Sequence, residues 1–197
     1  MSDINENPPC RAEADEFFQI DTTDKAETFR VAKSAQITAV ATDQSDVAVP
    51  TAAYIAEELK LPGIGFETAL RFTNKHLMRK AVAQSHQDLL PDSHLFEDES
   101  ELLAHLSSPS VNHKKLLVKP LNSQGSKGVA RLSSNNFREV TSTAFRESRG
   151  HGVLLEEFVA GDEFSVETFV VEGKVHNLAV TRKFHFPQND CIDYRNT

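Results

Sequence analysis

Several features that would announce a chemistry are missing from this chain. There are two cysteines, Cys10 and Cys191, far apart and in polar flanks. That excludes a disulfide-built fold and points to a reducing, cytoplasmic setting. No apolar run reaches the ~20 residues a membrane helix needs, and no signal-peptide pattern opens the chain. A membrane partner is therefore not expected. The eight histidines show neither HxH nor HExxH spacing, so none is assigned to a metal. Positive charge is in deficit: the formal net charge is −8. That argues against a nucleic-acid partner, although a local basic pocket remains allowed. There is no internal repeat, no low-complexity tract and no Walker A loop.

What is present is globular in composition. The 197 residues are 39% hydrophobic and 25% charged, enough for one large domain or two small ones. Met1 to Glu13 reads as loosely ordered. Phe17 to Ile20 reads as a short strand, followed by a helix capped by Thr23 with Phe29 and Ala32 on one face. Ile37 to Thr42 reads as a buried strand and Val49 to Leu59 as a helix; this alternation predicts a parallel sheet. Gly63-Ile64-Gly65 is a turn, not a dinucleotide fingerprint. Thr73 is expected to cap a helix from Asn74 to about Ala83. A further helix is expected over Phe96 to Leu106, with Leu95, Leu102, Leu103 and Leu106 as its apolar face, and another from about Ser134 to Glu147.

The most informative run is Leu116 to Val129. A short apolar strand delivers Lys119 at its end, then enters a turn containing Ser123, Gly125, Ser126 and Gly128. Glycines let backbone N–H groups approach an oxyanion, and a lysine supplies a compact point charge with three donors. Such a strand and loop suit a polyphosphate. The same residues also suit a plain β-hairpin with Ser/Gly turn chemistry. A second informative run is Val153 to Val175, which reads as strand, turn, strand, turn, strand in one antiparallel sheet. Its first strand is apolar until Glu156 and Glu157. Its second alternates Phe164, Val166, Thr168 and Val170 against Ser165, Glu167, Phe169 and Val171. Glu172-Gly173-Lys174 is a tight hairpin, and Leu178 to Lys183 continues as strand. Carboxylates here equally serve as edge-strand solubilisers.

Together these runs resemble the ATP-grasp superfamily of carboxylate–amine ligases, whose relatives include biotin carboxylase and the large subunit of carbamoyl phosphate synthase. The resemblance rests on Lys119-Pro120 with its Ser/Gly loop, on Leu155-Glu156-Glu157-Phe158-Val159, and on Gly161 to Glu167. It also rests on Phe72 to Arg79, similar to the family's first lysine at a helix start, and on Ser45 to Pro50 through Gly63. It implies an α/β plus α+β architecture. A partial Rossmann-like domain would occupy 1–72, and the N-terminal part of an ATP-grasp domain with an antiparallel sheet would occupy 73–197. By the same resemblance, the chain is the interior of a ligase about twice as long, truncated at both ends. Open sheet edges and uncovered apolar faces would follow, and a homodimer is left open.

The resemblance also implies roles. Lys75 and Lys119 would reach the α- and β-phosphates of ATP. Ser123, Gly125, Ser126 and Gly128 would close over the phosphates, with Lys127 pointing to solvent. Glu156 would lie near the adenine amino group, the main chain of Glu157 and Val159 would read the adenine edge, and Glu163 would accept the ribose hydroxyls. Arg182 and Lys183 either line an acceptor site or are a charged strand end. No residue is assigned as catalytic. Asp46, Asp190 and Asp193 are set aside as metal ligands, so the ligands of Mg²⁺ are expected outside this chain. The partners implied are ATP and a small carboxylate plus an amine. The activity implied is ATP-dependent ligation through an acyl phosphate, with this piece inactive alone. The alternative is a non-catalytic nucleotide-binding or regulatory module.

Overall fold

The computed structural model describes residues 1–43, 45–123, 125–186 and 189–197, with the side chains of Asn189, Asp190 and Ile192 excepted. Gln124 of the Ser/Gly loop and the side chain of Asp190 therefore lie outside the described residues. The chain forms two compact units, Met1–Leu90 and Pro91–Thr197. Among the described residues no helix is long and apolar enough to cross a membrane.

The first unit is mostly helical. Strand β1 (Ser2–Asp3) lies parallel to β2 (Phe18–Gln19), so the opening segment is tied into a small sheet, not loose as its polarity suggests. Helix α1 (Lys25–Ser34) is capped by Asp24, whose carboxylate accepts from the Glu27 N–H. The expected cap, Thr23, instead donates its hydroxyl to Asp21. Ile37 to Thr42 is not a strand, and none of its residues is buried. Its β-branched composition suits a strand, but among the described residues no neighbouring strand pairs with it, and a strand exists only as part of a sheet. Helix α2 (Val49–Glu58) begins with a proline in its first turn, where a missing N–H costs nothing, and buries Ala53, Ile55 and Ala56.

Helix α3 (Phe66–Thr73) was not expected from the sequence. It starts at Gly65, whose φ of +81° few other residues adopt easily. Thr73 is thus the last residue of α3. Asn74 is the cap of α4 (Lys75–His86), with its side chain accepting from the Leu77 N–H at 3.0 Å. Thr73 instead donates to the Ala69 carbonyl within α3. Asn74→Ala should therefore lower the unfolding free energy of this unit by about 1 kcal/mol, whereas Thr73→Ala should cost only a few tenths. Equal urea midpoints for the two variants would contradict that assignment.

The second unit begins with β3 (Ser93–Phe96), where a helix start was expected. The helix, α5 (Glu99–Leu106), starts three residues later, capped by the Asp98 carboxylate. Hydrogen bonds from the Ser100 side chain, then from the Glu101 and Ser100 backbone, hold the Asp98 carboxyl below its ordinary pKa despite the opposing pull of desolvation. Strands β4 (Leu116–Pro120), β5 (Ala130–Arg131) and β6 (Val153–Glu157) join β3 in an antiparallel sheet ordered β3-β6-β4-β5. Helix α6 (Phe137–Ser148) connects β5 to β6.

Register fixes the two faces of this sheet. Val118 pairs with Leu155 and with Ala130, and Pro120 pairs with Val153. Val118, Val153 and Leu155 join Leu102, Leu106, Leu132 and Ala144 in one buried cluster. This face is therefore the one the helices cover. Each of these large apolar side chains contributes roughly 1.5–3 kcal/mol by leaving water.

The remaining strands form a separate antiparallel sheet, β7 (Glu163–Val171), β8 (Lys174–Phe186) and β9 (Asn189–Asn196). The expectation of a single sheet running from Val153 onward is corrected here: β6 pairs with β3 and β4, and β7 pairs with β8. Residues 158–162 leave one sheet and enter the other. The register slips near Glu167/Thr168, where Leu178 is the extra residue on β8.

Candidate functional site

The face of the four-stranded sheet opposite α5 and α6 carries the charged side chains. Lys119 sits two residues beyond Leu117 and pairs in register with Leu154, while Leu117 pairs with Glu156 on one side and Arg131 on the other. Directly opposed residues of an antiparallel pair share a face, as do i and i+2. Lys119, Glu156 and Arg131 therefore emerge on one face, framed by Leu117 and Leu154.

The central feature of that face is an ion pair. The Lys119 ammonium lies 2.6 Å from a Glu156 carboxylate oxygen; the glutamate side chain is 1% exposed and the lysine 25%. A carboxylate this buried is stable as an anion only beside a cation or strong donors. The pair fixes the position of the ammonium while leaving one side of it open.

Beyond Lys119 the chain enters the Ser/Gly loop. Gly125, Ser126 and Gly128 all have positive φ, at +63°, +55° and +72°. The Ser123 hydroxyl donates to the Lys127 carbonyl at 2.9 Å, and the Val129 N–H donates to the Ser126 carbonyl at 3.1 Å. A side chain at Gly125 would meet nothing within 4 Å, whereas a Cβ at Gly128 would lie 2.7 Å from the Pro120 ring and 3.0 Å from Glu147 Cβ. The loop tip is thus open and its return is tightly packed. Lys127 is exposed, as expected. β4 and β5 do pair antiparallel, so the loop is also the connection of a hairpin.

At the other end of the site, β6 runs out at Glu157. The Glu157 N–H donates to the Asp92 carbonyl at 2.8 Å and the Phe158 N–H to the Lys115 carbonyl at 2.7 Å. These bonds pin the strand end from both neighbours. Val159 is then 68% exposed, and among the described residues its N–H has no protein acceptor. Arg131 was not singled out in the sequence. Its guanidinium lies 3.8 Å from the centre of the Phe158 ring, within cation–π range. Its register opposite Leu117, which no local pattern gives, places it on the Lys119 face.

Glu163 opens β7, directly opposite Lys183 of β8. Its two carboxylate oxygens lie 3.0 Å from Lys183 Nζ and 3.1 Å from His185 Nε2. Asp193 approaches the same lysine at 3.8 Å. Partial burial pulls the Lys183 pKa down, but hydrogen bonding and charge from Glu163 and Asp193 outweigh it, and the ammonium is held above its ordinary value. Lys75 belongs to the other unit, half-buried as the first residue of α4. That first turn carries Lys75 and His76 and no acid. A helix N-terminus favours anions, so the dipole of α4 does not favour the Lys75 ammonium at this position.

Comparison with known proteins meets this geometry. A family model described as the ATP-grasp domain matches residues 73–194. The chain belongs to the ATP-grasp family. The fold is shared with solved ATP-grasp structures. An L-amino acid ligase from Bacillus licheniformis is 27% identical with a TM-score of 0.62, over 81% of this chain and 37% of that one. A phosphoribosylglycinamide synthetase from Anaerococcus prevotii is 20% identical with a TM-score of 0.57, over 94% of this chain and 46% of that one. An N5-carboxyaminoimidazole synthetase from Staphylococcus aureus, complexed with ADP, is 12% identical with a TM-score of 0.72, over 99% of this chain and 50% of that one. This ATP-grasp chain thus spans half or less of each of these proteins. No curated protein matches it.

The donor set on this face suits an anion. Ammonium groups and a loop rich in positive φ are anion chemistry. Among the described residues, no group of three or more His, Cys, Asp or Glu side chains could hold a metal ion.

Proposed function

We propose that this chain binds ATP on the Lys119 face and that the site serves an ATP-dependent ligase joining a carboxylate to an amine through an acyl phosphate. The observation that carries the reading is the Lys119–Glu156 pair, set between an open Ser/Gly loop and a pinned strand end in a chain of the ATP-grasp family. Lys119 meets a phosphate with a charge already fixed in place, which limits the entropy lost on binding. The loop N–H groups of 125–128 surround the phosphates. Glu156 accepts from the adenine amino group, the Val159 N–H meets the base edge, the main chain of Glu157 flanks it, and Glu163 accepts the ribose hydroxyls. The likeness to an L-amino acid ligase supports amino acids as the first substrates to try.

In this reading Mg²⁺ would neutralise charge on the transferring phosphoryl group. A purely nucleotide-binding, regulatory role is the alternative. It predicts binding with no ADP release when amino acids are supplied to the longest natural form of the protein.

Calorimetric titration with ATP tests the site. Lys119→Ala should weaken binding by about 1–3 kcal/mol, the range for a charge-assisted contact. Lys127→Ala, which removes an exposed and unanchored charge, should cost less. Measurements belong at a temperature where circular dichroism shows each variant folded. Equal losses would mean that the fixed lysine has no special part in phosphate binding.

A further inference from the structure

The β7–β8–β9 sheet carries a cluster that the site as described uses only in part. Glu163 is the first residue of β7, and β7 starts six residues after the last residue of β6, which is the pinned strand end. Its carboxylate does not hang free. One oxygen is held by Lys183 and the other by His185, both on β8 and two residues apart, hence on one face. Lys183 is anchored from the far side by Asp193, and in register His185 pairs with Asp193 on β9. On the opposite face the neighbouring residues repeat the arrangement, with the Arg182 guanidinium donating to the Asp162 carboxylate. The start of β7 is therefore tied to β8 through both faces.

We propose that Lys183 and His185 are positioning residues for the Glu163 carboxylate, holding it as the acceptor for the vicinal hydroxyls of the ribose of a bound nucleoside polyphosphate. The inference rests on the ATP site proposed above and deepens it. A carboxylate has about four lone-pair sites. Lys183 and His185 engage one oxygen each, which fixes the plane of the group and leaves acceptor capacity directed outward. Glu163 is 53% exposed, so the remaining lone pairs face water in the free protein. An unanchored glutamate at a strand start would sample several rotamers and lose that freedom on binding; one held from two sides does not. The alternative, a lock on the β7–β8 register with no ligand, needs the same ion pairs but has no bearing on which nucleotide binds.

The test is the affinity of the protein for ATP relative to 2′-deoxy-ATP and 3′-deoxy-ATP, with thermal stability followed alongside. The wild type should prefer ATP by about tenfold, the value of one well-placed hydrogen bond to a charged acceptor. Glu163→Gln should bring the ratio close to one. Lys183→Met should reduce it at least threefold, and Lys183→Arg, which keeps the charge and donors, should restore it to within about twofold of wild type. His185→Gln should have a smaller effect than Lys183→Met, since the amide keeps one donor. A ratio that collapses in Glu163→Gln but stays at the wild-type value in Lys183→Met overturns the positioning role and leaves the ribose contact standing. A ratio unchanged in Glu163→Gln removes the ribose contact, and the positioning role with it. Loss of stability in Lys183→Met with an unchanged ratio identifies the register lock.

Discussion

Lys119→Met is expected to destabilise the Pro91–Thr197 unit by about 3 kcal/mol, and the double variant Lys119→Met/Glu156→Gln should recover most of that loss. The reason lies in the inequality between the two partners. Glu156 is 1% exposed and cannot find water when its cation is removed. Removing the cation beside a buried carboxylate costs more than the pair contributed when intact. Replacing the carboxylate by the neutral amide of the same shape removes the charge and keeps hydrogen-bonding capacity. Urea denaturation followed by circular dichroism gives both numbers. Hydrogen exchange on the peptides of β4 and β6 assigns them to this unit. A double variant no more stable than the single one would show that Lys119 acts by packing its aliphatic stem and not by its charge. The experiment also separates stability from ligand binding: the double variant should fold yet still bind ATP weakly.

A second large effect is expected at the return of the Ser/Gly loop. Gly128→Ala should cost about 2–4 kcal/mol, part from a φ of +72° and part from the added Cβ. That atom would sit 2.7 Å from the Pro120 ring and 3.0 Å from Glu147 Cβ. Neither neighbour can swing aside, because one is a ring on β4 and the other is attached to α6. The hairpin must shift instead, and with it the end of β4 that carries Lys119. Gly125→Ala, with open space around it, should cost only the conformational strain. Comparing the two variants by thermal melting and by ATP titration distinguishes packing from backbone conformation. Similar losses at the two positions would contradict the tight return described for Gly128.

Much of the site was legible because it is written in local pattern. The strand that delivers Lys119 is a short apolar run ending in a charge, and its loop is marked by Ser and Gly. The apolar strand Val153 to Leu155 meeting two glutamates is equally plain. Arg131 reaches the Lys119 face only through the register of β5 against β4, where it lies opposite Leu117. The misreadings share a cause. Ile37 to Thr42 has strand composition but no partner, and pairing is a property of the whole fold. Thr73 and Asn74 both suit a helix cap. The choice went to Asn74 because α3 extends through Thr73. β6 and β7 are contiguous strands on paper. Which sheet each joins is decided by backbone hydrogen bonds to residues far away in the chain.

The sequence alone carried the family, the order of the Ser/Gly loop and the strand end, and the identity of the charged residues, because these depend on residue type at short spacing. Only the tertiary structure decided which charges are partners. It showed that Glu156 is buried against Lys119, that Glu163 is held between Lys183 and His185, and that Arg131 stacks on Phe158. Each of these contacts joins different strands, and their energies depend on burial and distance, which no local pattern encodes.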